Sequence, residues 1–146
     1  QIEIIDPWAK PSFGGSRVSK IFFEFRNLGA VPDKLITVRS PITKTVGVFK
    51  AVTVKDNIRQ VNDIRTIEIP SEQNSFELTE VGYYIELSDI ELPILMGSRF
   101  IVSLLFKNAG AVDVEFVGRF HSPKLNRRIR KAAIRGDIEA LRAMTP

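Results

Sequence analysis

The chain has 146 residues, of which 44% are hydrophobic and 26% are charged. These values are typical of one globular domain with a sizeable core and exclude a disordered or fibrous protein. No apolar run approaches the ~20 residues that a membrane-spanning helix needs. The sequence has no cysteine, which excludes disulfides, thiolate metal sites and thiol nucleophiles.

The net charge of +4 is unevenly distributed along the chain. Residues 1–118 carry 13 Lys or Arg and 15 Asp or Glu, whereas residues 119–146 carry 8 basic and 2 acidic residues. The body is therefore nearly neutral and the tail is basic.

The chain starts at Gln1 without an initiator Met, as a processed export product or a shortened chain does. We therefore expect a periplasmic or secreted protein whose signal peptide has been removed.

From Ile2 to Phe120 the sequence alternates over short segments that turn residues separate every 8–12 residues or so. This rhythm is typical of an all-β sandwich or barrel. We place a strand stop at Asp6-Pro7 and a hairpin turn at Lys55-Asp56-Asn57. The predicted strand segments are Ile2–Ile4, Ile21–Phe25, Leu35–Val38, Thr45–Val54, a strand from Ile58, Thr66–Ile69, Ser75–Leu78, Tyr83–Leu87, Arg99–Phe106 and Val112–Val117.

After Phe120 the hydrophobic period changes from two to between three and four residues, which indicates helix. Ser122 and Pro123 have the residue types of an N-cap and a first helical position. Gly136-Asp137 is expected to end this helix and to cap a second one. We therefore predict two parts, a β domain over residues 1–120 and a basic helical extension over residues 121–146.

Six short motifs follow one another along residues 2–118. They are Asp6-Pro7-Trp8-Ala9-Lys10, Asn27-Leu28-Gly29, Asp33-Lys34-Leu35 with Ser40-Pro41, Ile69-Pro70 with Phe76-Glu77-Leu78, Val81 to Leu87, and Leu92 to Gly97. No single motif is decisive, but in this common order they resemble the PCuAC family of periplasmic copper(I) chaperones. The resemblance implies a cupredoxin-like, Greek-key β-sandwich or barrel of about nine strands.

The resemblance also implies where copper ligands would lie. The family holds copper(I) with two His and two Met. Carried over one by one, these positions fall on Phe49, on Gln60 (or Val61 if the turn shifts by one residue), on Tyr84 and on Glu86. A benzene ring, an amide, a phenol and a carboxylate are poor ligands for a soft cation, so we expect no copper(I) cofactor and no metal site at these positions.

Other sites remain as alternatives. Met96, His121 and Met144 could form a relocated copper site if the tail folded back. Tyr83 and Tyr84 alternate in facing, so that one should be exposed and could form an aromatic interaction surface with Phe49, unless these residues simply repack the core. The basic residues Arg127, Arg128, Arg130 and Lys131 could meet an anionic membrane surface or an acidic partner, or form a solvated helix face; we expect no nucleic-acid partner.

No catalytic constellation is present in the sequence, since the single His has no nucleophile or carboxylate in a motif context. We therefore expect an exported, non-enzymatic PCuAC-like protein that has lost the copper(I) site and serves as a binding or interaction protein. Its protein partner and its oligomeric state are not specified by the sequence. The alternative is a periplasmic copper chaperone with a relocated metal site.

Overall fold

The computed structural model describes residues 2–12, 14–72 and 75–144. This part of the chain forms ten strands followed by two helices. The strands are β1 (Ile2–Ala9), β2 (Ser19–Asn27), β3 (Asp33–Arg39), β4 (Val48–Lys55), β5 (Ile58–Ile64), β6 (Ile67–Ile69), β7 (Ser75–Glu77), β8 (Tyr83–Leu87), β9 (Arg99–Phe106) and β10 (Gly110–Gly118). The helices are α1 (Pro123–Arg135) and α2 (Ile138–Met144).

The strands form one continuous curled sheet. Nine of them lie in the order β5-β4-β8-β2-β1-β10-β9-β3-β6, and the short β7 pairs with β2. Every pairing is antiparallel except the one between β1 and β10. The Gly47 N–H before β4 donates to the Val38 carbonyl of β3 at 2.7 Å, which brings the two ends of the sheet together. The result is a nearly closed barrel, and the predicted all-β fold of about nine strands with C-terminal helices is confirmed.

Phenylalanines dominate the core of this barrel. Phe23 and Phe25 of β2 are fully buried, as alternation along the strand predicts. The rings of Phe23 and Phe116 of β10 lie edge to face, with their centroids 5.9 Å apart. The charge distribution of aromatic rings favours this arrangement. Burial of each such ring contributes about 2–3 kcal/mol from removal of apolar surface alone.

Strand β2 is also buried on its outer face, which its sequence did not indicate. Phe22 is as buried as Phe23, although neighbouring side chains on a strand point to opposite faces. Trp8 covers Phe22, with the two rings stacked at 4.6 Å. Trp8 thus adds a second aromatic layer outside the sheet.

The predicted strand stop at Asp6-Pro7 is wrong, because β1 continues to Ala9. The register of β1 against β2 shifts between Ile5 and Trp8, and Asp6 adopts a φ of 52°. An irregularity of this kind lets a strand absorb an extra residue and continue. The turn-forming pair therefore bends the strand instead of ending it.

The predicted caps of the helical tail are confirmed. The Ser122 hydroxyl accepts a hydrogen bond from the Leu125 N–H at 3.0 Å, and Pro123 begins α1. Gly136 ends α1 with a φ of 70°, a left-handed conformation that glycine adopts without strain. The Asp137 carboxylate then accepts from the Ala140 N–H at 2.9 Å at the start of α2.

Helices α1 and α2 contact each other and form a helical hairpin, and α1 also contacts β1. Neither helix has the length and apolar character needed to cross a bilayer. The division into parts at residues 120 and 121 falls between β10 and α1, and it stays a prediction.

Candidate functional site

The positions that the resemblance assigns to copper ligands lie on β4, β5 and β8, which are neighbours in the sheet. Direct partners in an antiparallel ladder point to the same face, so the register decides which side chains meet. Phe49 of β4 pairs with Ile85 of β8, and Lys50 pairs with Tyr84. Phe49 and Tyr84 therefore point to opposite faces of the sheet.

Phe49 belongs to the interior of the barrel. It is 3% exposed, and its partner Ile85 also pairs with Ile21 of β2, which is fully buried. This corrects the expectation that Phe49 contributes to an exposed aromatic surface. The side chain fills the core because it points into the barrel on the same face as Ile85 and Ile21.

Tyr84 lies on the outer face of the sheet but is also only 3% exposed. Its ring lies 6.2 Å from that of Phe22, and the Lys20 ammonium lies over it at 5.0 Å from the ring centroid. The predicted alternation is confirmed, since Tyr83 is the exposed member of the pair. The assignment of Tyr84 to an interaction surface is corrected: aromatic and lysine side chains cover its ring.

Charged side chains surround Tyr84 on this outer face. Lys50 donates to the Asp63 carboxylate at 2.5 Å, and Glu86 pairs across the sheet with Lys20. We call Lys20, Lys50, Asp63, Tyr84 and Glu86 the lysine patch. It occupies the face that holds two of the four ligand-equivalent positions.

The Lys50 side chain is 17% exposed, whereas that of its partner Asp63 is 68% exposed. Its hydrogen bond to Asp63 raises the pKa of Lys50 above its usual value, and the negative charge of Glu86 adds to the rise, although burial acts in the opposite direction. Lys50 is therefore firmly protonated. A fixed positive charge at this position opposes the binding of a metal cation.

Gln60, the remaining ligand-equivalent position, is exposed on β5 and pairs with Thr53. Val61, the alternative position, pairs with Val52. The four positions thus divide among the core, the outer face and the exposed β4–β5 hairpin. Among the residues that the structure describes, no group of three or more His, Asp or Glu side chains could hold a metal ion.

The residues of the relocated-site hypothesis occupy three places. His121 lines a groove beside Trp8, and Met144 lines a second groove between α1 and α2. Met96 is exposed in the turn before β9. The three residues therefore lie at different features of the fold, and the relocated site stays a hypothesis.

The groove beside Trp8 has a volume of about 290 Å³ and separates the barrel from the start of α1. Trp8, Phe22 and Leu78 form its apolar side, and Phe120 and Leu125 lie opposite. Lys10 and Glu80 at its rim form an ion pair. The sequence did not predict this groove, because nothing in it shows that α1 begins beside Trp8.

The basic residues of the tail are exposed on α1. Arg127 donates to the Asp6 carboxylate of β1 at 3.0 Å, so it connects the helix to the barrel. Arg128, Arg130 and Lys131 are exposed, and no ion pair to them is found within the described residues. Their predicted role as an interaction surface stays a prediction.

Comparison with known proteins agrees with this architecture. The family model described as "Putative lipoprotein LpqE-like" matches residues 2–117. No curated protein matches the chain in sequence.

Solved structures of PCuAC domains are similar to the chain in fold. The copper-bound PCuAC domain from PmoF2 is 22% identical with a TM-score of 0.69, covering 81% of this chain and 92% of that chain. The apo PCuAC domain from PmoF1 is 19% identical with a TM-score of 0.67, covering 81% and 92%. Copper(I)-bound DR1885 from Deinococcus radiodurans is 14% identical with a TM-score of 0.60, covering 80% and 78%.

These matches confirm the resemblance that the six motifs indicated, and they confirm the cupredoxin-like fold. The family match covers the barrel and ends one residue before β10 does. The chain belongs to the LpqE-like family, and its fold is that of the PCuAC domains.

Proposed function

We propose that this chain is a non-enzymatic extracytoplasmic binding protein that keeps the PCuAC-type fold and has lost its copper(I) site. The observation that carries the proposal is the lysine patch. Where the resemblance expects soft donors, the outer face holds a covered phenol, two carboxylates and two ammonium groups. Carboxylates prefer hard cations, and an ammonium group repels any cation.

The loss of the site is supported by packing as well as by donor chemistry. Phe49 fills the core and faces away from Tyr84. Bringing these positions together would require a one-residue shift of β4 against β8. Such a shift would move every side chain of β4 to the opposite face, which costs the burial of Phe49.

The binding role and the location are supported by separate features. The groove beside Trp8 and the exposed helical hairpin are surfaces that a partner could occupy. The family description names lipoproteins, which supports a periplasmic or secreted location. PCuAC chaperones are not enzymes, and the Ser122 hydroxyl next to His121 in that groove serves as the N-cap of α1.

Anaerobic titration with copper(I) against the chelator bathocuproine disulfonate tests the proposal. We expect the chelator to keep the copper at every protein concentration. Stoichiometric transfer of copper to the protein would contradict the proposal, and two variants would then locate the site. Loss of transfer in Glu86→Gln would place it at the lysine patch, whereas loss in His121→Ala would establish the relocated site with Met96 and Met144.

A further inference from the structure

The end of the helical hairpin exposes two isoleucines. Ile134, in the last turn of α1, is 81% exposed, and Ile138, the first residue of α2, is 61% exposed. Ile134 is the most exposed of the large hydrophobic residues in the part of the chain that the structure describes. Only Arg135, Gly136 and Asp137 separate the two residues, so both lie at one tip.

Cations of both helices lie beside this tip, as do the two acidic residues of the tail, Asp137, which pairs with Arg135, and the exposed Glu139. Residues three and four positions apart lie side by side on a helix, so Arg130 and Lys131 of α1 flank Ile134. Arg142 follows Ile138 by four positions on α2. These three side chains are exposed, and no ion pair to them is found among the described residues.

A groove of about 390 Å³ between α1 and α2 extends the cationic surface. Arg128, Lys131 and Arg135 line one wall, at spacings of three and four residues along α1. Ala140, Ala143 and Met144 line the opposite wall. The groove thus combines a row of positive charges with an apolar surface.

The hairpin is attached to the barrel at its base, away from the tip. Arg127 forms its ion pair with Asp6 of β1, and Lys124 lies 3.9 Å from the Glu77 carboxylate. At 1.5 Å per residue, Ile134 lies roughly 16 Å along the axis from the start of α1. The tip is therefore free to meet a flat surface while the base holds the hairpin in place.

We propose that the helical hairpin docks on the surface of an anionic phospholipid bilayer, with Ile134 and Ile138 inserted between the headgroups. Interfacial helices combine apolar side chains with Lys and Arg beside them, and both contribute to binding. The tail is complementary in charge, since residues 119–146 carry 8 basic and 2 acidic residues. An acidic protein would also match this charge, but two exposed isoleucines with cations of both helices beside them fit the boundary between headgroups and acyl chains better.

Cosedimentation of the full chain with vesicles tests this proposal. We expect binding to vesicles of phosphatidylcholine mixed with phosphatidylglycerol, weakening as salt is added, and little binding to pure phosphatidylcholine. The triple variant Arg128→Gln, Arg130→Gln, Lys131→Gln should lower the partition coefficient about a hundredfold, at about fivefold per cation. Gln keeps the helix propensity of α1 close to its original value.

The matched control removes the same charge from the barrel. Lys44, Lys55 and Lys107 are exposed and lie outside the hairpin, so their replacement by Gln should change the partition coefficient severalfold at most. Equal losses in the two triple variants would overturn the proposal, because net charge alone would then explain binding. Failure of the unaltered chain to bind the anionic vesicles would overturn it as well.

A second pair of variants separates a bilayer from an acidic protein. Ile134→Ser with Ile138→Ser should lower vesicle binding at least tenfold, whereas the exposed pair Val31→Ser with Val81→Ser should leave it unchanged. Binding that depends on the cations but not on the isoleucines would overturn membrane insertion and would assign the hairpin to an acidic macromolecule. None of these outcomes depends on whether the barrel binds copper.

Discussion

We expect replacement of Asp33 to destabilise the fold, because three backbone hydrogen bonds converge on its carboxylate. The residue is 6% exposed at the start of β3. Its carboxylate accepts backbone hydrogen bonds from Lys34 and Asn108 at 2.8 Å and from Ala109 at 2.9 Å. The last two donors lie in the turn between β9 and β10. Asp33 therefore joins one end of β3 to a turn that is more than 70 residues away in sequence.

The loss of folding free energy on replacing Asp33 follows from these contacts. Burial alone would raise the pKa of Asp33, but the hydrogen bonds from Asn108, Lys34 and Ala109 together hold the pKa below its usual value. A hydrogen bond to a charged group contributes about 1.5–3 kcal/mol. The contributions do not simply add, and water can reach the exposed turn. We expect Asp33→Ala to lower the free energy of unfolding by about 3 kcal/mol and Asp33→Asn by about 1.5 kcal/mol.

Urea denaturation over a series of pH values measures both effects. The unfolded carboxyl has a pKa of about 3.9 and the folded one lies lower. The stabilisation is therefore complete above pH ~4 and is lost as the pH falls through the folded value. The free energy of unfolding of the unaltered chain should therefore approach that of Asp33→Asn as the pH falls below ~4. The exposed Glu91→Gln is the control, expected within about 0.5 kcal/mol of the unaltered chain. An equally small effect of Asp33→Ala would refute the reasoning.

Three further predictions rest on single contacts. Gly118→Ala should lower the free energy of unfolding by about 3 kcal/mol in thermal or urea denaturation, because the added Cβ would lie 2.1 Å from the Leu95 carbonyl oxygen. Gly82→Ala, whose Cβ meets an ordinary contact at 3.4 Å, is its control. Ser122→Ala removes the N-cap of α1 and should cost about 1 kcal/mol, seen as faster hydrogen exchange confined to α1. Phe25→Ala should cost about 3–5 kcal/mol, since this fully buried ring also stacks on Phe76 at 5.1 Å; a cost below 1 kcal/mol would show that the core collapses around the gap.

The sequence predicted the elements of the fold better than their faces. Period-two alternation identified β8 and β9 with the bounds that the structure has, and Ser122 and Gly136 identified both ends of α1. Strand alternation and helix caps depend on residues close together in sequence, so the sequence alone can predict them. The stop at Asp6-Pro7 failed because a bulge against β2 lets β1 continue, and a bulge depends on the partner strand.

The candidate site was predictable in residue type but not in geometry. Alternation showed that either Tyr83 or Tyr84 is buried, but it could not show that Lys20 and Phe22 cover Tyr84. That coverage depends on strand order, which places β2 next to β8. The pairing of Phe49 with Ile85 likewise depends on the register of β4 against β8. These strands are far apart in sequence, and neither one alone determines their register.

The distribution of cations links the two proposals physically. A cation placed ~5 Å from an ammonium group at an effective dielectric constant of about 20 meets a repulsion of roughly 3 kcal/mol before screening by salt. Lys20 and Lys50 would each oppose copper at the lysine patch in this way, although the carboxylates of Asp63 and Glu86 in the same patch offset part of the repulsion. The same sign of charge favours anions at the helical hairpin, where Arg128, Lys131 and Arg135 line a groove. The hairpin is therefore suited to an anionic surface, whereas the lysine patch balances its two ammonium groups with two carboxylates, and recovery of copper binding there would require the return of the soft ligands.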